Sequence, residues 1–525
     1  MKLRQLGIAL ALLVVLALAA APTLLYPLTR DQGAYAYIAD LMMHGGVPYR
    51  DGWDLKPPAI YFVYQLAFSL FGRSESAVRL MDIIFALLSA VSVGVLAGEV
   101  FGDRRIAWGA AWVYAFSYYF GVHFYAVANP ESFMVPLLVA ACYGVARGMR
   151  CQEKLPWFVA GLASGLGFWF KPTSVVVTSS LLAWAALEMV RRHRETRDFA
   201  RALAAVAAGS ILGLLSFGLY LRGHGLAELL ELWRFYGATA YASARGLALG
   251  DGPLAALDVV VRYIREWQLL VWLTLAGAVG VQLRRHVNPG APAVTVFLLS
   301  AVAAVLVQGK LFEYHWIPAL APAAVLSAAS LIWLGREIQL TATGGRWREM
   351  RSILAVVVIV GLVLYAGYES IARLRRLGAY AGGRISRAQY DVQFDIGDDF
   401  SHTATLDAAE YLRGHTSEDE TVLIWGAEPL VNFLAERRSP TKYIFSYMLF
   451  DEADDSRLEA RRQDFLAELD RAPPEYVVLV ENDVTPLTPE GSEALLEAFP
   501  SLGSLLESEY SLETQVEDYA FYRRD

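Results

Sequence analysis

Apolar residues in this chain are laid down in long blocks with few charges, not in the alternating or one-sided patterns of strands and surface helices. The blocks fall at about 6–28, 80–101, 106–124, 131–149, 156–170, 172–190, 202–221, 267–283, 291–309, 316–334 and 352–370. Most have the roughly 20 residues that carry a helix across a bilayer core, and they lack the polar stripe of a soluble core helix. Eleven membrane-spanning helices are expected. The first is read as an uncleaved helix rather than a signal peptide, because its run extends to Leu28 and many more spans follow.

One further apolar segment, Pro57–Gly72 (PPAIYFVYQLAFSLFG), is ambiguous by hydropathy, being short and interrupted by Gln65 and tyrosines. Basic residues decide its placement. If it lies flat at the interface and the N-terminus is inside, the inside loops hold 18 Lys and Arg in about 53 residues, against 12 in about 109 outside. That roughly threefold difference in density follows the positive-inside rule. Treating the segment as a span would reverse everything downstream and export the Arg191, Arg192, Arg194, Arg197 and Arg201 loop. An interfacial helix on the outer face is therefore expected. Two outer loops are long: Thr29 to Arg79, and Arg222 to Trp267, whose GLAELLELWRFYGATAYASARG stretch reads as an amphipathic surface helix.

The pattern changes after the last block. The chain divides into a membrane domain over 1–372, a basic linker over 373–399 and an acidic α/β soluble domain over 400–525, expected on the outer face. Its signals alternate: DAAEYLRGH helical, TVLIWG strand, DFLAELDRAPP helical, EYVVLVEND strand, SEALLEAF helical. Composition agrees with this division. Of 525 residues 56% are hydrophobic and 19% charged, with mean hydropathy +0.37. The net charge of −8 hides an asymmetry, because residues 390–525 carry 31 Asp and Glu against 10 Lys and Arg, a balance of −21. The remaining residues therefore carry +13, so an acidic domain follows a basic one, and a nucleic-acid partner has no electrostatic footing. Cys142 and Cys151 are too few and too close for a disulfide framework, and no Cys or His spacing suggests a metal site.

Candidate chemistry gathers on the outer side. Asp31 stands where the chain leaves the first block, ahead of a helix expected from Ala34 to Met43. It reads either as a general base at a low-dielectric boundary or as an N-cap of that helix. Lys56 precedes the Pro-Pro step that opens the interfacial helix. It reads as a cation for a lipid phosphate or as a snorkelling lysine. Lys171, in FWFKPTS between two apolar blocks, has no charged neighbour in sequence and calls for a ligand or a buried carboxylate. Asn129 and Glu131 (VANPES) open another hairpin, where Glu131 could simply favour its helix start. Lys310, Glu313, Tyr314 and His315 (QGKLFEYHWIP) form a further cluster in which His315 reads as structural and the aromatics as belt residues. Asp51 and Asp54 read as solvated loop charges, with Asp54 a further candidate acid.

The stretch DQGAYAYIADLMMHGGVPYRDGWDLKPPAIYFVYQLAFSLFGRSESAVRL resembles the opening of GT-C membrane glycosyltransferases. Its likeness is to the branch of the dolichyl-phosphate-mannose–protein mannosyltransferases and the lipid A aminoarabinose transferase. That branch opens with Asp-Glu-Gly/Ala-Tyr, then Pro-Tyr, Lys-Pro-Pro, Phe-Gly and Arg-Leu steps. QGKLFEYHWIPALAP resembles a later feature of it. The resemblance implies transfer of a sugar, with inversion, from a polyprenyl-phosphate donor to a glycan, lipid or protein hydroxyl at the outer face of the membrane. Asp31 matches the family's first-loop acid, and Lys56 its donor-phosphate lysine with Lys171 as an aid. Asn129 and Glu131 sit where a second acidic residue is expected. Gln32 departs from the family's Glu, which removes one carboxylate from any two-carboxylate metal site; no metal or other cofactor is expected. A transporter or flippase for lipid-linked saccharides is the rival reading; it predicts inverted repeats and mid-membrane polar sites, whereas no repeat is seen and most candidate polar groups lie at one surface. A non-catalytic relative is the third.

Overall fold

The protein was analysed as a computed structural model. It describes residues 14, 16–151, 153–192, 196–238, 253–284, 290–340, 371–395, 401–450, 455–481, 483–485 and 490–525. Residues 6–13 and 15 of the first expected span, all of the eleventh, and residues 239–246 of the amphipathic stretch lie outside these residues. The described chain is mostly helical. After a 3₁₀ turn at Ala21–Leu25 come α1 (Arg30–Met43), α2 (Ala59–Phe71), α3 (Glu75–Phe101), α4 (Arg104–Gly121), α5 (Pro130–Cys151) and α6 (Lys154–Phe168). Then follow α7 (Ser174–Arg191), α8 (Thr196–Leu221), α9 (Leu226–Ala238), α10 (Pro253–Glu266), α11 (Gln268–Leu283), α12 (Pro292–Gln308) and α13 (Ile317–Leu340). A helix stands at each of the nine apolar blocks from 80–101 to 316–334. Five described segments are long and apolar enough to cross a membrane: Glu75–Phe101, Pro130–Cys151, Ser174–Arg191, Arg197–Leu221 and Glu313–Arg336. The protein is a multi-pass membrane protein. Helix α2 has 13 residues, about 20 Å at 1.5 Å per residue, too short to cross a core of about 30 Å.

The chain forms two compact units. The first comprises 1–25, 79–217 and 251–381, and is a helical bundle in which α5 lies on α6, α4 and α11 on α13, and α12 on α7. Close approach between α6 and α8 is built into the sequence by two small-residue steps, Gly161–Gly165 and Gly209–Gly213. A Cβ on Gly165 would stand 2.5 Å from the Ser210 carbonyl, and one on Gly213 2.8 Å from that of Leu162. In lipid, where apolar burial does not drive helices together, such close backbone packing does.

The second unit comprises 26–78, 218–250 and 382–525, so the first long loop packs with the C-terminal residues. Those residues form α14 (Arg387–Asp391), α15 (His402–His415), β1 (Val422–Trp425), α16 (Leu430–Ala435), α17 (Asp455–Arg471), β2 (Tyr476–Val480), α18 (Gly491–Glu497), α19 (Pro500–Glu509), β3 (Tyr510–Val516) and β4 (Tyr519–Arg524). The sheet order is β1-β2-β4-β3, with β1 and β2 parallel and the other pairs antiparallel. Every residue of β1 and β2 is buried, as expected of parallel strands covered on both faces. Ala404, Ala408 and Leu412 of α15 pack with Val422, Ile424, Tyr476, Val478 and Phe521 in one core. Trp425 sits against Phe465 and Phe499.

The first loop is fastened to this domain at several points. Gly33 of α1 lets the helix approach α16 so closely that a Cβ would lie 2.5 Å from that of Leu430. Arg30 pairs with Glu428, and the Ser439 N–H donates to Tyr37 Oη at 2.8 Å. From the end of α2, Arg73 reaches Asp40 at 2.9 Å, donates to the Phe433 carbonyl and lies 4.1 Å over the Phe433 ring. Phe68 stacks on that same ring at 5.4 Å.

Candidate functional site

In the second unit, three of the charged candidates come together. Helix α1 begins at Arg30, four residues earlier than the Ala34 start read from the sequence. The residue that caps it is Thr29, in extended conformation, and Gln32 reaches back so that its Oε1 accepts from the Thr29 N–H at 3.4 Å. Thr29-Arg-Asp-Gln32 is thus a capping box, which gives Gln32 a local structural task. The N-cap reading of Asp31 gives way, because Asp31 lies inside the first turn. Its Oδ2 is 3.3 Å from Lys56 Nζ, with the two side chains 41% and 20% exposed. The ammonium also stands 5.8 Å from the centroid of the Tyr35 ring.

Asp54 is not a solvated loop charge. It is 5% exposed, its Oδ1 accepts from the Leu55 N–H at 2.7 Å and its Oδ2 from Tyr61 Oη at 2.9 Å. Burial pushes its carboxyl above the ordinary carboxylate range; the Lys56 ammonium opposes the shift and the Asp31 carboxylate adds to it. Tyr49 Oη donates to the Lys56 carbonyl at 2.9 Å, and Trp233 of α9 donates to that of Leu55 at 3.4 Å. The Asp54–Lys56 backbone is therefore held from two helices, α2 and α9, and Lys56 is presented to Asp31 by a fixed loop. Asp51 is separate, accepting from Arg50 at 2.7 Å and from the Val47 N–H at 2.7 Å. Tyr35, Tyr49 and Tyr61 were missed as site residues, since in a membrane sequence tyrosines read as belt aromatics.

In the first unit a second group forms around Glu131, in the first turn of α5 and 1% exposed. Glu131 pairs with Lys171, and its Oε1 is 3.8 Å from His315 Nε2. The Lys171 ammonium stands 5.5 Å from the Tyr314 ring centroid. Of the ligand or carboxylate that Lys171 called for, the fold supplies the carboxylate. Asn129 spends its Nδ2 on the carbonyls of Tyr125, Ala126 and Val127, at 3.2, 3.1 and 3.4 Å, closing the turn before α5. Ala128 in that turn has φ +58°, and its N–H donates to Asp82 Oδ1 at 3.0 Å. Tyr118 Oη donates to the same oxygen at 2.6 Å. Asp82 is 1% exposed and was overlooked, although a carboxylate inside the 80–101 block is a signal in itself. Lys310 is buried, which lowers its ammonium pKa, while Glu313 pairs with His123 at 2.8 Å. Among the described residues, no group of three or more His, Cys, Asp and Glu gathers as metal ligands would.

Chemically, a half-exposed carboxylate beside an ammonium can accept a proton while its partner meets an anion. Residues 55–216, which begin one residue before Lys56, match the family described as dolichyl-phosphate-mannose-protein mannosyltransferase. The undecaprenyl phosphate-alpha-4-amino-4-deoxy-L-arabinose arabinosyl transferase of Pseudomonas aeruginosa UCBPP-PA14 is 30% identical over 391 residues, covering 69% of this chain and 68% of the relative. The enzyme of the same name from Edwardsiella ictaluri is 28% identical over 351 residues, covering 63% and 59%. Among solved structures, ArnT from Cupriavidus metallidurans bound to undecaprenyl phosphate superposes with a TM-score of 0.62 at 12% identity, covering 98% of both chains. Its apo form gives 0.62 at 13%, covering 99% of this chain and 98% of that one. The GT-C fold is shared over nearly the whole length, and the chain belongs to the family of membrane glycosyltransferases that contains the undecaprenyl phosphate-aminoarabinose arabinosyl transferases.

Proposed function

We propose that the protein transfers a sugar from a polyprenyl-phosphate-linked donor to an acceptor hydroxyl, with Asp31 as base and Lys56 meeting the donor phosphate. The observation that carries this reading is the Asp31–Lys56 pair at 3.3 Å, accessible at the start of α1. A phosphate entering beside Lys56 competes with Asp31 for the ammonium and frees the carboxylate for the acceptor. The acceptor oxygen then attacks the anomeric carbon and its proton passes to Asp31. The bond to the phosphate oxygen breaks with its electron pair, and Lys56 balances the polyprenyl phosphate that leaves. In-line displacement inverts the anomeric centre. Lys171, already balanced by Glu131, remains the second phosphate ligand assigned from the sequence, and Glu131 the second acid.

Support for the donor comes from relatives named as undecaprenyl-phosphate enzymes and from a GT-C neighbour described with undecaprenyl phosphate bound. The distribution of Lys and Arg supports an extracytoplasmic site, with the N-terminus inside and the 400–525 domain outside. Purified protein is to be given a panel of polyprenyl-phosphate sugars and the release of polyprenyl phosphate measured. Release that depends on Asp31 supports transfer. An Asp31→Asn protein as active as wild type removes Asp31 from the mechanism, and inactivity of both with every donor points to a non-catalytic relative. A cysteine introduced at Arg194 should resist an impermeant thiol reagent in intact cells; ready labelling reverses the proposed sidedness.

A further inference from the structure

Helix α1 opens with a cation that its own backbone does not favour. Arg30 takes the first helical position, where the positive end of the macrodipole suits the carboxylate of Asp31 but not a guanidinium. An arginine can also grip the aspartate that follows it. In the same loop, Arg50 Nε donates to Asp51 Oδ1 at 2.8 Å and its Nη2 to Oδ2 at 2.7 Å. A fork of that kind between Arg30 and Asp31 would outcompete the single 3.3 Å contact from Lys56. A bidentate guanidinium holds a carboxylate more firmly than a point-charge ammonium does. The base would then be occupied before any substrate arrived.

The C-terminal domain turns Arg30 the other way. Its Nε donates to Glu428 Oε1, and the two side chains are 17% and 2% exposed. Glu428 follows β1, and the backbone is fixed on both sides of it. The Ala427 N–H donates to Asp483 Oδ2 at 2.8 Å, and the Val431 N–H donates to the Glu428 carbonyl at 3.1 Å. Asp483 is buried and is itself held by the Ser492 N–H at 2.8 Å and the Ser492 hydroxyl at 2.7 Å. Burial raises the Asp483 pKa and the Arg30 charge opposes that rise, so the guanidinium faces two acids of the domain. Stability alone does not call for such a pair, because well-packed apolar side chains of like volume serve a core as well as a buried ion pair does. What the pair does fix is the direction of the side chain next to the base.

We infer that Glu428 is a positioning residue: it draws Arg30 toward the C-terminal domain and so keeps Asp31 for Lys56 and the acceptor proton. The inference rests on the transferase reading above and gives the C-terminal domain a part in the reaction.

Two readouts on the full-length protein in nanodiscs test it. One is turnover of a polyprenyl-phosphate sugar. The other is labelling of Asp31 by a water-soluble carbodiimide with glycine ethyl ester, read by mass spectrometry, which needs no activity. The variants are Glu428→Gln and the double variant Arg30→Met with Glu428→Gln. In Glu428→Gln the released Arg30 covers Asp31, so labelling should fall about threefold or more and kcat about tenfold or more. Donor KM should not rise, because Lys56 stays free for the phosphate. The double variant carries neither charge, so labelling and kcat should both recover to within about threefold of wild type. A residue that merely tied the domain down would not show this recovery, since removing a second tie only loosens the joint further.

Unchanged Asp31 labelling in Glu428→Gln overturns the proposal, as does a folded double variant no better than the single one. So does failure of Glu428→Gln to fold, which makes the pair a condition of the fold and not of the base. The expected labelling in all three proteins, with no donor turned over by wild type, confirms the hold of Glu428 on Arg30 and refutes the transferase reading instead.

Discussion

Lys56 Nζ lies 3.3 Å from Asp31 Oδ2, a contact made across 25 residues by a fixed loop on one side and a capped helix on the other. The two charges face one another at rest, and in the proposed mechanism they separate when the donor phosphate arrives. Asp31→Asn is therefore expected to lower transfer by about 10²–10⁴-fold, the usual worth of a general base. Lys56→Ala should reduce it by a similar order, and the double variant should be little worse than either alone, because both serve one step. Polyprenyl phosphate release checks this. Additive losses would mean that the residues act independently.

Asp54 lies behind that pair and makes a pH signature. Its folded-state pKa is raised by burial, so the folded protein holds more protons than the unfolded chain just above the ordinary carboxylate value of about 4. The sign follows: stability falls as pH rises through that window and then levels off. Asp54→Asn cannot titrate, so its unfolding temperature should lose this slope. Unfolding in detergent from about pH 4 to about pH 7, wild type against variant, measures the difference. Parallel curves would show that Asp54 has no part in it.

Much of this arrangement could be read before the fold was known, and the limits have physical causes. The nine described bundle helices follow their apolar blocks within a few residues, since bilayer length and hydropathy leave little freedom. Asp31, Lys56, Glu131 and Lys171 stood out because charge beside apolar sequence is costly. Their pairing was not legible, because Asp31 and Lys56 meet through a turn whose shape depends on Tyr49, Tyr61 and Trp233. The start of α1 was misplaced because Thr29 and Gln32 form a capping box ahead of the apolar residues. The β3–β4 hairpin was missed as well. Only Tyr510 of β3 is buried, so the strand shows no apolar face, and its turn uses Glu517 at φ +47° instead of a glycine. That the first loop packs with the C-terminal domain depends on shape at Gly33 and Leu430, which no local pattern encodes.

Gly33 makes that docking testable. In a free helix, Gly→Ala gains up to about 1 kcal/mol. Here the new Cβ would stand 2.5 Å from Leu430 Cβ and 2.8 Å from its Cα, so α1 has to move off α16. Overpacking of this kind costs about 1–3 kcal/mol, and the steric term wins. Gly33→Ala should lower the unfolding temperature. It should also cut transfer by as much as about 10²-fold, because Asp31 moves with the helix. Gly414→Ala in α15, where a Cβ meets nothing within 4 Å, should be neutral or stabilising. Equal behaviour of the two variants would refute tight docking at Gly33.

The Glu131–Lys171 pair offers a different comparison. Its side chains are 2% and 14% exposed, so each charge depends on the other for compensation. Removing one partner leaves a buried ion, at a cost of about 3–5 kcal/mol, whereas replacing both with neutral groups of similar volume costs far less. Lys171→Met alone should destabilise the first unit strongly, Glu131→Gln alone somewhat less, and the double variant should recover most of the loss. Unfolding temperatures of the four proteins close the cycle. If the double variant is as unstable as the sum of the singles, the pair is not coupled. If it is stable but inactive with a polyprenyl-phosphate donor, the two charges serve the reaction as well as the fold.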